Sequence, residues 1–267
     1  MQHAARKSIM KKFIENKIRQ IEDAHAFNPR WFGIFLNPFF ITRRHLYRKF
    51  FEFSKTLKPG NSILDVGCGI KPYEQLFKGN EYTGIEVSES GHDRGAMDAD
   101  LFFDGKNIPF PAEKFDIVIA SEVFEHVEYL PELTKDIHRV LKPGGTLFLS
   151  MPFVWPEHEK PYDFQRFTSF GHQKLLKECG FEIKKIEHTT GIFGTCAQIM
   201  SDFLIDWTNS LLDRGGLSGL RYKLKFIGSR IIIAIVCAPI QIIGLVFDRI
   251  FSKKGITLDY IVTARKI

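Results

Sequence analysis

The chain has 267 residues, 44% of them hydrophobic and 25% charged, with 37 Lys and Arg against 31 Asp and Glu for a formal net charge of +6. That is long and apolar enough to bury one α/β core with decorations, which excludes a disordered or low-complexity chain. The excess of positive charge is mild; it suits an anionic surface or a phosphate but not a nucleic-acid footprint, so no nucleic-acid partner is expected.

The four cysteines, Cys68, Cys179, Cys196 and Cys237, stand at no metal or redox spacing. The basic N-terminus is not followed by an apolar stretch of signal-peptide length, so a reduced, cytoplasmic protein is expected. In residues 1–24, Arg6, Lys7, Lys11, Lys12, Lys17 and Arg19 alternate with Ile9, Phe13, Ile14, Ile18 and Ile21 at rough helical spacing. Such a helix lies either on an anionic membrane or along the domain with its basic face in water. Phe27 to Phe40 is aromatic and broken by Pro29, Gly33 and Pro38, as in a connector or a lid over a pocket. From Ile41 to Leu57 a helix is expected, with Leu46, Phe50, Phe53 and Leu57 on one face and Arg43, Arg44, Arg48 and Lys49 elsewhere. Lys58-Pro-Gly60 stops it, and its job is packing.

Ser62 to Val66 is an apolar run with β-branched members and Asp65 near its end; Gly67 and Gly69 then give a turn free of side chains before a helical segment near Tyr73. In an open α/β sheet this turn lies at the carboxyl end of a strand, where nucleotide-like ligands bind. About 20 residues on, a second strand, Tyr82 to Val87, delivers Glu86 to the place of a ribose diol. A polar stretch, Ser88 to Asp100, fits a loop around a bound nucleoside. Then come Asp104-Gly-Lys-Asn-Ile-Pro-Phe110, the strand Phe115 to Ser121, and Leu141-Lys-Pro-Gly-Gly145 leading into a strand that ends at Ser150. Between the last two, Pro131 opens a scaffold helix whose Leu133, Ile137, Val140 and Leu141 form one stripe.

This series resembles the Rossmann-like, class I S-adenosylmethionine-dependent methyltransferases, in particular their type 11 family, over roughly residues 60 to 188 and again in the last ten residues. The resemblance implies a seven-stranded, mostly parallel sheet with helices on both faces and an antiparallel last strand. It implies S-adenosyl-L-methionine as cofactor, with Asp65, Gly67 and Gly69 at its methionine and sulfonium end, Glu86 on the ribose hydroxyls, and Asp104 on the adenine amine. Gly105 would offer the ring a backbone N–H, and Ser121 and Glu122 would lie against the cofactor. One departure is that Lys71, followed by Pro72, replaces the usual third glycine; a lysine there could pair with the methionine carboxylate.

Met151 to Thr168 leaves the carboxyl end of the fifth strand and carries Pro152, Pro156, Pro161, His158, Tyr162, Asp163 and Arg166. A loop of this kind on a rigid scaffold holds substrate groups, so Tyr162, Asp163 and Arg166 are candidates for acceptor binding; the bland reading is that Asp163 and Arg166 merely pair. His126 and His158 are candidate catalytic residues, because a base within hydrogen-bond reach helps a hydroxyl acceptor lose its proton. His158-Glu159 is not a zinc motif, since no second histidine follows at the right spacing, and methyl transfer requires no metal. The His-Glu, Pro-Tyr-Asp-Phe and Arg-Phe-Thr series resembles methyltransferases often associated with bacterial cell-surface glycans.

Thr168 or Ser169 caps a helix ending at Gly180, Phe181 to His188 is a sixth strand, and Leu258 to Lys266 the last. The long stretch between these strands far exceeds a hairpin loop and must be an insertion with its own structure. Within it Ile231 to Phe247 is apolar and uncharged but falls short of the ~20 residues of a spanning helix, and Pro239 and Gln241 interrupt it. A single crossing would also part the last strand from its sheet. A helical hairpin dipping into one leaflet, with the amphipathic Ile199 to Leu212 and the basic Arg221 to Lys225, is the alternative to a buried cap or a dimer interface.

The expected organisation is therefore an N-terminal extension (1–40), a methyltransferase domain (41–189 and 257–267) and a helical, membrane-associated insertion (190–256). The expected activity is O-methylation of a sugar or lipid-linked glycan, or alternatively methyl transfer to a quinone or lipid headgroup. The acceptor is a small or lipid-linked molecule, met at the inner face of a membrane that the protein touches through 1–24 and 196–250. A non-catalytic nucleoside sensor is the rival from another class, and an NAD-linked dehydrogenase is disfavoured because its fingerprint wants a third small residue.

Overall fold

The computed structural model describes residues 27–87, 97–213, 228, 230–251 and 255–267. The amphipathic helix expected in 1–24, the basic run Arg221 to Lys225 and most of the polar stretch after Glu86 lie outside the described residues.

Seven strands form one sheet in the order β3-β2-β1-β4-β5-β7-β6. They are β1 (Ser62–Val66), β2 (Glu81–Val87), β3 (Leu101–Phe103), β4 (Phe115–Ser121), β5 (Leu141–Pro152), β6 (Phe181–His188) and β7 (Asp259–Lys266). β1 pairs parallel with both β2 and β4, while β7 runs antiparallel between β5 and β6. The central strands read as unbroken apolar runs because both faces of the sheet are covered.

Alternation along each strand decides which layer a residue feeds. Leu64, Val118, Ala120 and Leu147 pack on one face with Leu133, Ile137 and Val140 of α2 (Leu130–Val140) and Leu175 and Leu176 of α3 (Ser169–Glu178). Their neighbours Ile63, Ile117, Ile119 and Phe148 point the other way, onto Leu46, Phe50 and Phe53 of α1 (Phe40–Ser54). There Phe53 stacks on Phe148 with ring centres 4.1 Å apart. Thr168 is the N-cap of α3, its hydroxyl accepting from the Gly171 N–H at 3.2 Å. The strand order reverses between β1 and β4, so the carboxyl ends of these strands open a crevice where such sheets bind ligands.

The insertion supplies α4 (Ile192–Asp213), a π-helical turn at Ile233–Cys237, and α5 (Ala238–Ile250). At the far end of α5 the Asp248 carboxylate accepts from the backbone N–H groups of Gly191, Phe193 and Gly194 at 2.8 to 3.0 Å, so the start of α4 meets the end of α5 and the two helices run antiparallel. Gln198 of α4 and Gln241 of α5 both donate to the Pro38 carbonyl, which ties the pair to the aromatic connector. The expected interruption at Pro239 and Gln241 is corrected. Residues 230–250 form one continuous 21-residue helix, long and apolar enough to cross a membrane, with 28% of its most apolar window buried. The wide turn just before Pro239 absorbs a residue that lacks an N–H and would otherwise clash with the preceding turn.

Candidate active site

The crevice between the ends of β1 and β4 opens into a cavity of about 520 Å³, lined by Asp65, Gly67, Cys68, Gly69, Glu86, Val87, Phe103, Gly105, Ser121, Glu122, His126 and His158 among others. Gly67 has φ +69° and Gly69 φ +51°, a left-handed backbone that lets the chain turn back from β1. A Cβ on Gly67 would fall 2.4 Å from Val123 Cγ2, whereas one on Gly69 would meet nothing within 4 Å. The first glycine is therefore required by packing against the chain, and the second leaves room for a ligand.

Glu86 is buried with one oxygen accepting from Gly69 N–H (2.9 Å) and the other from Val87 N–H (2.8 Å), which fixes the carboxylate across the glycine turn and leaves each oxygen a lone pair for the cavity. Asp65 accepts from the Tyr82 hydroxyl at 2.6 Å, and burial pushes its carboxyl up to about 7 against the pull of that hydrogen bond. Ser121 and Glu122 follow β4. Glu122 stands at φ +55° with its N–H donating to Ser150, and burial raises its carboxyl, as it does those of Glu125 and Asp259.

Three expectations need correction. Asp104 is exposed and off the cavity wall; its carboxylate accepts from the N–H groups of Lys106 and Asn107 and from the Asn107 side chain at 2.6 to 2.8 Å. It shapes the turn that sets Gly105 against the cavity, since a short acceptor side chain finds its own nearby N–H groups first. Lys71, expected to be available to the methionine carboxylate, is engaged by Asp100 at 2.8 Å. Tyr162, Asp163 and Arg166 lie behind the wall rather than on it. Arg166 and Asp163 form a pair (Nη2 to Oδ2 2.8 Å), and although burial alone would raise Asp163, that pairing and the His158 N–H hold it at about 2. Their work is to place the two histidines: the Tyr162 carbonyl takes a hydrogen bond from His126 Nδ1 at 2.6 Å, and His158 Nδ1 lies 3.3 Å from Asp163.

His126 and His158 come together edge to face with ring centres 4.7 Å apart, both on the cavity wall. Burial and the neighbouring His126 lower the pKa of His158. Although sequence spacing offered no metal motif, one donor atom each from Glu125, His126 and His158 falls within 4.8 Å of the others.

Phe27 and Phe39 of the connector and Trp155 of the loop after β5 also line the cavity; the sequence reading missed Thr42, Arg43 and Leu46 of α1 and Asp202 and Asp206 of α4, which line it too. A signal existed for Arg43: counting back three from Leu46 lands on it, in line with the apolar stripe Leu46, Phe50, Phe53 rather than on the solvent face. Asp202 and Asp206 share a helix face by the same rule, and burial together with Asp206 raises the Asp202 carboxyl.

A parallel-sheet crevice with a glycine turn, a fixed acid near the end of β2 and a roomy pocket defines a nucleoside-binding enzyme of the Rossmann-like class. Residues 39–185, more than half of the chain, match the family model described as a methyltransferase domain; the chain belongs to that family and is an S-adenosylmethionine-dependent methyltransferase. It is 37% identical over 102 residues to sterol 24-C-methyltransferase ERG6B of Gibberella zeae, covering 33% of this chain but only 27% of that one. It is 26% identical over 180 residues to the ubiquinone/menaquinone biosynthesis C-methyltransferase UbiE of Burkholderia orbicola, covering 62% of this chain and 71% of the other. Its fold is similar to that of Haemonchus contortus phosphoethanolamine N-methyltransferase 2 in complex with S-adenosyl-L-methionine (TM-score 0.51, 18% identity, 84% of this chain and 52% of that one).

The residues present fit this cofactor: the open space at Gly69 accepts a substituent that the chain itself does not fill, and Glu86 keeps acceptor capacity toward the cavity. When bound, S-adenosylmethionine supplies a methyl group on a sulfonium, and leaves as the neutral thioether. Asp65, Gly67, Gly69, Glu86 and Gly105 would hold it, and the histidine pair stands on the same wall.

Proposed function

We propose that the enzyme methylates a hydroxyl on the ring or headgroup of a lipophilic acceptor that it meets at the inner face of a membrane. The observation that carries this reading is that one helical pair serves both ends of the problem. α4 contributes Asp202 and Asp206 to the cavity, while elsewhere α4 and residues 231–251 expose Phe203, Trp207, Ile235, Ile243, Ile250 and Phe251. Trp31, Phe35 and Leu36 of the connector, also exposed, add to the apolar surface of the chain. So many large apolar side chains exposed on one helix pair support an interaction site rather than ordinary solvent contact. Lying on one leaflet suits an antiparallel helix pair tied at both ends to the domain, and segment 1–24, with its six basic residues, would add attraction to anionic lipid.

The names of the relatives, a sterol and a quinone enzyme, support a lipophilic acceptor over the sugar or lipid-linked glycan expected from the sequence. Phe39, Leu46 and Trp155 give the cavity an apolar side. At its other side the histidine pair can take the proton of an acceptor hydroxyl, so that an oxygen lone pair faces the methyl group. Exclusion of water and alignment of acceptor with methyl are the rest of what the protein supplies.

The test is to incubate the full chain with methyl-deuterated cofactor and a total lipid extract, and to follow the label by mass spectrometry. Label on a hydroxyl oxygen in the organic phase is the expected result. Label confined to water-soluble saccharides, or on ring carbon alone, overturns the assignment. Flotation with anionic vesicles checks the membrane part separately, and a chain that stays at the bottom of the gradient refutes it.

A further inference from the structure

We infer that Glu125, His126 and His158 form a binding site for a divalent transition-metal ion at the acceptor end of the cavity. Glu125 is fully buried, yet neither of its carboxylate oxygens has a hydrogen-bond partner. A buried carboxylate left without donors is costly, and a cation among its neighbours would remove that cost. What surrounds it is a donor set. His126 Nε2 lies 3.5 Å from Glu125 Oε1 and 3.8 Å from Glu159 Oε2. Ligands bound at about 2.0–2.1 Å in a tetrahedral site stand about 3.3 Å apart; the Glu125 and His126 donors are already near that spacing, and with His158 all three lie within 4.8 Å of one another, so side-chain movements alone close the set onto an ion.

The outer contacts set both rings for the task. A carbonyl can only accept, so His126 Nδ1 carries the proton it donates to Tyr162, and in the neutral ring Nε2, the nitrogen facing the two carboxylates, is the atom available to a metal. His158 repeats the arrangement: Nδ1 lies 3.3 Å from both the Pro156 carbonyl and Asp163 Oδ2, which leaves Nε2 as the nitrogen with the free lone pair. Asp163, locked by Arg166, thus completes a carboxylate, histidine, metal chain of the kind that orients ligating imidazoles. Two imidazoles with one or two carboxylates suit Zn²⁺, Co²⁺ or Mn²⁺ better than Mg²⁺ or Ca²⁺, which prefer all-oxygen shells.

The ion's role rests on the hydroxyl acceptor proposed above. With the ion bound, the two imidazoles are its ligands and no longer the base; the ion would instead bind the acceptor oxygen and lower the pKa of its O–H, so that the proton leaves to solvent before the oxygen takes the methyl.

Binding is measured without any acceptor, so it can fail independently of that reading. Metal-free protein is titrated with Co²⁺ by visible absorption and with Mn²⁺ by electron paramagnetic resonance, while cofactor affinity is measured in parallel by calorimetry. One tight site is expected, weakened at least 100-fold in His158→Ala and at least tenfold in Glu125→Gln, with cofactor affinity within threefold of the parent. Asp163→Asn should weaken it about tenfold, the usual size of an outer-contact effect. Should His158→Ala fail to fold, His158→Asn takes its place. Absence of binding for both ions, or binding undiminished in the Glu125 and His158 variants, overturns the site; normal metal binding with no methylated lipid would overturn the acceptor reading alone.

Discussion

Alanine at the two glycines of the first turn should give opposite phenotypes. At Gly67 the new Cβ must sit 2.4 Å from Val123 Cγ2 and 3.0 Å from Cγ1 while the backbone holds φ +69°. The left-handed strain costs about 1–2 kcal/mol, and forcing a methyl into packed surroundings costs about 1–3 kcal/mol more. Against a typical total stability of about 5–15 kcal/mol, Gly67→Ala should therefore lose a large share of its fold. At Gly69 only the strain applies, because no atom lies within 4 Å of the new Cβ. Part of that is offset by about 0.4–1 kcal/mol from the stiffer unfolded chain, so Gly69→Ala should be destabilised by no more than about 1.6 kcal/mol.

The ligand reverses the ranking. A methyl pushed into space the cofactor occupies costs it about 1–3 kcal/mol, which is a loss of roughly 5- to 150-fold in affinity. Urea denaturation read by circular dichroism, with calorimetry using S-adenosylmethionine, separates the two effects. If Gly69→Ala binds the cofactor as tightly as the parent, the open space beside Gly69 is not where the cofactor lies, and the placement of the nucleoside proposed here is wrong.

Two further outcomes follow from groups away from the chemistry. His172 is fully buried between Phe167 and Tyr260 with neither ring nitrogen hydrogen-bonded, and burial drops its pKa from 6.5 to about 4. The unfolded chain takes up this proton first, so stability should fall as pH drops from 6.5 and level off near 4. The loss is on the order of 3 kcal/mol at about 1.4 kcal/mol per pH unit; His172→Phe should flatten that slope in pH-dependent denaturation, and an unchanged slope would show the ring is not held neutral. Asp248→Ala leaves three backbone N–H groups at the start of α4 without their acceptor, at a cost of about 2–3 kcal/mol. Limited proteolysis should then cut in α4 before the sheet unfolds, and parent-like resistance would contradict the capping role.

The sheet and its glycine turn were legible in the chain because their signals are local. A β-branched run ending in Asp65, two glycines, and an acid at Glu86 each follow from short-range backbone and periodicity rules, and none of them needs a distant partner to be recognised. Asp104 misled for the same reason: its place before Ile-Pro-Phe suggested a ligand contact, but the nearest N–H groups belong to Lys106 and Asn107, and a flexible acceptor takes them. The apolar run around Pro239 looked broken because proline ends an ordinary helix, while the structure accommodates it with a wide turn.

By itself, then, the sequence determined the strand order's raw material, the cofactor class and the presence of an extra helical element before the last strand. Only the tertiary structure decided what meets what. Glu125 and His126 sit after β4 and His158 after β5, and it is the parallel pairing of these two strands that sets their carboxyl ends side by side. Arg43 and Asp202 reach the cavity from helices far apart in the chain. Such meetings depend on register and packing between segments, which no local pattern encodes.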